Sequence, residues 1–401
     1  MIKERWTDYR KAVVNSFLLL LPGAISSLLI FFIASNRLFP NDKDHTLSLL
    51  NFYQLQMLGI TVAKYGIDQM VISRLNPNHQ TNTNAFFTQR VFPLTLLFCI
   101  VIGFIKGWVY AAFLALILPM EVMSILISVE WSVSNKIKFT SILTLLGNPL
   151  AFILIYLVYK KNLQSVNIMF ACFLLSSLIR ITLALFFRNK GSKTEIAILS
   201  YNVPLQQIGN YFMFRFDQVV IAMSLGIAFL GNKLLMGQYL FLAKFPEVAS
   251  GVIVSLAPLL YRQLGNQVVT SLKNLFKNRI FLLMSICICI CQLAVTFFVF
   301  KPRNMDNNIL LFVPFVISSL LVLPTNMVTY FLLKKAAIAK INILNLISCI
   351  TGVIILFISL LCANVYLFSL VVPMQLLIYI IFYQLLYYEK QHNEPDLVNT
   401  A

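Results

Sequence analysis

Ala63-Lys64-Tyr65-Gly66-Ile67-Asp68 is matched 180 residues later by Ala243-Lys244-Phe245-Pro246-Glu247-Val248, and both hexapeptides sit in long apolar runs. Two further pairs keep a similar offset. Pro22 and Pro204 are 182 apart, and Leu118-Pro119 and Leu323-Pro324 are 205 apart, as a longer basic loop in the second set requires. Recurrence at this period reads as a duplicated half. If each half crosses a membrane six times, the second begins on the same side as the first. The two copies are then parallel, related by an axis along the membrane normal, with a cavity between them.

The apolar runs supply the count of six. Of the 401 residues 59% are hydrophobic and only 11% are charged, against about a quarter charged in soluble domains, and the mean hydropathy is +0.84. The runs are continuous over about 20 residues rather than alternating, so helices and not barrel strands do the spanning. Spans are expected at about 12–35, 50–73, 87–105, 108–131, 139–159 and 165–187, then at about 199–226, 234–260, 280–300, 308–333, 341–362 and 365–388. The expected fold is all-α: a polytopic membrane protein of about 12 transmembrane helices in two parallel six-helix lobes. Residues 1–195 form the N-terminal lobe, 196–388 the C-terminal lobe, and 389–401 a short cytoplasmic tail.

The net charge of +17 does not gather into a nucleic-acid-binding face; lysines and arginines sit between the apolar runs, as cytoplasmic loops require. Counted over alternate loops, nineteen fall on the side of the N-terminus and eight on the other. Both termini are therefore expected in the cytoplasm. No small-residue cleavage motif follows the basic start, so the first helix is expected to be retained.

Soluble chemistry finds little to work with. The seven cysteines lie in or beside apolar runs and read as small hydrophobes, Cys287, Cys289 and Cys291 included. His45, His79 and His392 fall in loops or the tail, so no metal-ligand spacing appears. The segment from Gly226 to Lys233 lacks the Lys-Ser/Thr ending of a phosphate loop. No catalytic residues, metal or cofactor are expected, and the chain is not read as an enzyme.

Ionisable groups at membrane depth cost at least roughly 2.5–3.5 kcal/mol each, so they face a partner or a cavity. Lys64 and Asp68, four apart, are placed on one helix face, and Lys244 and Glu247, three apart, echo them. Glu121 follows Pro119 in mid-span, while Arg180 is read as snorkelling toward the cytoplasmic edge. Gln206, Asn210 and Asp217 fall on one stripe of the seventh span, which should face water. Arg215 lies about 200° around that helix from Asp217 and must point to a neighbouring helix or bend toward the lumen. Salt bridges that merely fix packing are the alternative for any one of these residues. As a set they mark a polar pathway, with Lys64 and Lys244 as the pair suited to hold an anionic group.

The seventh and eighth spans carry Asn210-Tyr211-Phe212, Arg215-Phe216-Asp217, Gly237-Gln238-Tyr239, Ala243-Lys244 and Ser255-Leu256-Ala257-Pro258 in that order. This series resembles the polysaccharide exporters of the multidrug/oligosaccharidyl-lipid/polysaccharide (MOP) superfamily, above all the bacterial O-antigen and capsule repeat-unit flippases. The resemblance covers the whole chain and implies a MATE/MOP-like fold. It also implies a function: translocation of undecaprenyl-diphosphate-linked oligosaccharide across the inner membrane by alternating access. It assigns Lys64, Lys244 and Arg215, with Asn210 and Gln206, to substrate, and Asp68, Glu121, Asp217 and Glu247 to gating or to coupling with a proton or sodium gradient. Implied partners are the lipid-linked oligosaccharide, the bilayer, a polysaccharide polymerase and a chain-length regulator, with the transporter itself a monomer. Two alternatives stay open: a drug or cation antiporter of the same fold, which needs an acidic, aromatic cavity, and a membrane-embedded glycosyltransferase or polymerase.

Overall fold

A computed structural model describes residues 22–23, 25–30, 43–64, 80–82, 86–133, 142–143, 145–161, 165–188, 195–197, 202–223, 239–247, 286–290, 292–294, 309–334 and 337–388. Almost all of them are helical. Among the described residues five helices are long and apolar enough to cross a membrane: Phe87–Lys106, Trp108–Ser128, Val166–Phe187, Leu311–Leu333 and Ile338–Leu361. They coincide with the spans expected from the sequence at 87–105, 108–131, 165–187, 308–333 and 341–362. Their outer faces carry large apolar side chains, with Phe104 78%, Phe186 79% and Leu361 71% exposed, as contact with lipid rather than water demands. The chain is a multi-pass membrane protein. The spans expected at 12–35, 234–260 and 280–300 lie largely outside the described residues.

Two compact units make up the chain: Met1–Tyr211 with Gln218–Lys244, and Phe212–Asp217 with Phe245–Ala401. In the first unit, α1 (Lys43–Ala63), α2 (Phe92–Lys106), α3 (Trp108–Val133), α4 (Asn148–Lys160) and α5 (Val166–Phe187) follow in order. A π-helical turn, Phe87–Val91, leads into α2. The helix α3 packs on α1, α2 and α5, while α4 lies against α5. Aromatic rings fill the centre of this unit: Phe52 of α1 stacks on Phe170 of α5 with centroids 3.9 Å apart. A small antiparallel ribbon, β1 (Gln80–Asn82) with β2 (Glu195–Ala197), pairs Thr81 with Ile196 and is the exception to an all-α reading among the described residues.

Local chemistry explains where these helices stop. Between α2 and α3 stands the single residue Gly107, at φ 101° with its N–H on Gly103 O at 3.1 Å; only glycine takes that backbone without strain, so the reversal is compressed into one residue. The sequence places a span at 139–159, but the helix proper begins at Asn148, after a turn at Leu146-Gly147. Pro149, at the start of α4, cannot continue a helix from its N-terminal side, which accounts for the break. The span expected at 50–73 is also shifted. Its helix starts at Lys43 and ends at Ala63, leaving Lys64 in a turn.

The second unit holds α7 (Ile309–Lys334), α8 (Ile338–Leu361), the short α9 (Val365–Ser369) and α10 (Val371–Tyr383), with α10 packed on both α7 and α8. Pro314 and Pro324 interrupt the hydrogen-bond ladder of α7. Nearby hydroxyls bond back to the same helix: Ser318 Oγ donates to Pro314 O at 2.9 Å and Thr325 Oγ1 to Leu321 O at 2.8 Å, which satisfies both hydroxyls inside an apolar segment. A further helix, α6 (Asn202–Ala222), contributes residues to both units.

Candidate functional site

Within the first unit, α3 and α5 bring one carboxylate against two side chains more than fifty residues away in sequence. Glu121 lies two residues beyond Pro119 on α3, and Ser177 and Arg180, three apart, share one face of α5. Ser177 Oγ donates to Glu121 Oε1 at 2.6 Å, and Arg180 Nη1 donates to Glu121 Oε2 in a salt bridge. Both carboxylate oxygens are thus occupied. The arginine side chain is 14% exposed and that of the glutamate 8%. Arg180 therefore does not snorkel to the membrane edge as its position suggests; the buried carboxylate one helix away holds it inside, because an ion in a low-dielectric interior needs its counter-ion.

The pair lines a cavity of about 220 Å³, together with Gln56, Asn148, Phe173 and Ser176. Ser176 Oγ is committed to the backbone, donating to Leu146 O and Gly147 O at 3.0 Å. Two buried polar atoms, Gln56 Oε1 and Arg180 Nε, have no hydrogen-bond partner among the described residues. One is an acceptor, the other a donor.

Asn148 connects this cavity to a second buried charge. Its Nδ2 donates to Tyr53 Oη at 3.0 Å, and the ammonium of Lys244 lies 4.7 Å from the Tyr53 ring centroid. Lys244 has no exposed surface. It is carried on the helical stretch 239–247, fastened to its neighbours by Gln218, whose Nε2 donates to Ala243 O at 3.2 Å while its Oε1 accepts from Gln54 Nε2. Tyr211 Oη adds a bond to Gln54 O at 3.4 Å.

The sequence pairs Lys64 with Asp68 and with Lys244. Lys64 closes the last turn of α1, its N–H on Ile60 O at 2.9 Å. It stands eleven residues beyond Tyr53, about 16 Å along the helix axis, whereas the ammonium of Lys244 lies over the Tyr53 ring itself. Asp68 lies outside the described residues.

In the second unit Arg215 Nη2 meets Glu247 Oε1 at 2.6 Å. Glu247 thus bonds to an arginine, where the sequence pairs it with Lys244. The backbone of Arg215, at φ −142° and ψ 16°, leaves the helical region and kinks α6. That kink breaks the regular 100° advance on which the stripe of Gln206, Asn210 and Asp217 depends. The stripe does not face water: Gln206 and Asp217 are 0% and 1% exposed, and Asn210 is half-buried. Among the described residues no group of three His, Cys, Asp or Glu side chains is placed to hold a metal ion.

No protein-family model matches the sequence, and no curated protein does. Solved structures do. The chain is similar to an outward-facing multidrug resistance MATE family transporter of the MOP superfamily, with a TM-score of 0.53 and 13% identity over 95% of each chain. The fold is the MATE fold. A MOP superfamily transporter from Pyrococcus furiosus is also similar, at a TM-score of 0.48 and 12% identity over 94% of this chain and 95% of that one.

Set on a MATE fold, the cavity and the buried lysine include residues that sequence reasoning passed over. Tyr53, Asn148, Ser177 and Gln56 are common residues of apolar helices and carry no motif. A usable signal exists for one of them: Ser177 precedes Arg180 by three, so any carboxylate that meets the arginine meets the hydroxyl as well. Tyr53 has no such mark, because its role comes from Lys244, 191 residues away.

Proposed function

We propose that this chain is a membrane transporter that moves undecaprenyl-diphosphate-linked oligosaccharide repeat units between the leaflets of the bacterial inner membrane by alternating access, with no chemical step. The observation that carries the reading is the state of the buried charges in the first unit. The carboxylate that lines its cavity is already held by Arg180 and Ser177, while Lys244 is a fully buried cation resting on an aromatic ring. A carboxylate so held offers a cationic cargo little, and the cavity therefore favours a neutral or anionic one. Lys244, Lys64 and Arg215 are assigned to the anionic part of the substrate, with Asn210 and Gln206 toward its sugars. Ion coupling falls to Glu121, Asp217, Glu247 and Asp68, and proton or sodium gradients are the candidate drive. A polymerase and a chain-length regulator act on the exported unit, and the transporter works as a monomer.

The test is genetic and chemical. In the native host, deletion is expected to remove surface polymer and trap lipid-linked repeat units in the inner leaflet, with rescue by the wild type and not by a well-expressed Lys244→Ala. Normal polymer after deletion with no trapped intermediate overturns the reading.

A second reading has one observation in its favour: the solved structure at a TM-score of 0.53 is described as a multidrug resistance transporter. Under it this chain exports an organic cation. Expression in a drug-sensitive strain then raises resistance, and everted vesicles acidified inside accumulate the cation.

A further inference from the structure

We infer that the cavity of the first unit is a seat for one neutral, hydroxylated ring, a single pyranose residue. Its volume of about 220 Å³ falls below the roughly 300–1,000 Å³ of drug-sized pockets and far above the roughly 10–15 Å³ that one water needs, so it suits a ligand of one ring. Charge narrows the class. The Glu121–Arg180 pair leaves the lining formally neutral, so it offers an organic cation no uncompensated carboxylate and a phosphate no uncompensated guanidinium. The unused atoms narrow it again. Gln56, 4% exposed, presents an acceptor, and Arg180 Nε presents a donor, neither with a partner among the described residues. An apolar occupant would leave both desolvated and unpaired, which opposes its binding. Hydroxyl groups both donate and accept, and satisfy the two together. The ring of Phe173, 2% exposed, lines the same cavity and gives the apolar edge of a pyranose a surface to lie on.

This assignment rests on the proposed lipid-linked oligosaccharide cargo for its source of sugar, and it adds that one residue of the repeat unit is read inside the first unit. The experiment uses the full chain in lipid nanodiscs and saturation-transfer NMR with four probes: methyl glucoside, methyl N-acetylglucosaminide, tetraphenylphosphonium and inorganic pyrophosphate. At least one glycoside is expected to bind, and neither ion is expected to do so at this cavity. Gln56→Leu removes the free acceptor, and Ala151→Phe fills the cavity from α4 without removing a polar group. Each is expected to weaken glycoside binding about tenfold or more. Should Gln56→Leu fail to fold, Ala151→Phe alone decides. Glycoside binding retained in a folded variant, absent from the wild type, or replaced by binding of either ion that Ala151→Phe abolishes overturns the seat, and a cavity that holds only water gives the second of these results. Its failure is separable from failure of the function. Glycoside binding beside normal surface polymer in the deletion strain sinks the flippase reading alone, and trapped repeat units without glycoside binding sink the seat alone.

Discussion

Lys244 places its ammonium 4.7 Å from the centre of the Tyr53 ring, and the hydroxyl of that ring accepts from Asn148. A buried cation on an aromatic face gains about 2 kcal/mol or more from the ring quadrupole when desolvated. Burial of the charge itself opposes stability. Lys244→Met keeps the apolar stem and removes the charge, and is expected to abolish transport in a protein that still folds. Tyr53→Leu, which leaves the charge without its ring, is expected to lower stability by about 2–4 kcal/mol. A double-mutant cycle read by thermal unfolding in nanodiscs isolates the coupling. Independent losses for the two changes would show that ring and amine are not energetically joined.

Glu121 and Arg180 make a second, sharper case. Removing one member of a buried pair leaves its partner uncompensated at about 3–5 kcal/mol, so Glu121→Gln and Arg180→Met are each expected to unfold at markedly lower temperature. The double variant Glu121→Gln/Arg180→Met should recover most of that loss, because both charges leave together. If the double variant is as unstable as the sum of the singles, the pair does not act as a unit.

Much of this fold was legible in the sequence, and the limits have physical causes. Five membrane-length helices stand where apolar runs place them, since hydrocarbon forces each segment to satisfy its own backbone. Helix starts were less legible. The Gly147-Asn148-Pro149 break was hidden inside an apolar run because hydropathy sums are blind to one missing N–H. For the site, intramembrane cost singled out Glu121, Lys244, Arg215 and Glu247 as residues that need partners. The partners themselves were only partly legible. Arg215 and Glu247 are 32 residues apart, and the kink at Arg215 overrides the periodicity from which the position of Asp217 was argued. Tyr53 and Gln56 carry no charge and so give no warning at all.

The bond between Arg215 Nη2 and Glu247 Oε1, at 2.6 Å with side chains 18% and 11% exposed, gives a charge-exchange test. Glu247→Gln and Arg215→Gln are each expected to cost about 1–3 kcal/mol, less than at Glu121 because some solvent reaches both groups. The reversed pair Arg215→Glu/Glu247→Arg should regain part of the loss if the contact is electrostatic. Reading unfolding at low and at high salt adds a second check. The cost of the single changes is expected to fall little with salt, since a mostly buried pair is weakly screened.

Gly107 joins α2 to α3 at φ 101°, and a Cβ added there meets nothing within 4 Å. Sterics with neighbours therefore cannot account for any loss on substitution; only the backbone can. Gly107→Ala is expected to destabilise by about 1–2 kcal/mol from left-handed strain alone, with transport retained once the protein has folded. Gly59→Ala offers the opposite control: its added Cβ would stand 2.6 Å from Leu118 Cδ1 and 2.8 Å from Phe98 Cε1, so its cost is one of overpacking. The two mechanisms separate on a second change. Trimming Leu118 to Ala should partly rescue Gly59→Ala and leave Gly107→Ala unrescued, and thermal unfolding of the three single and two double variants reads the difference.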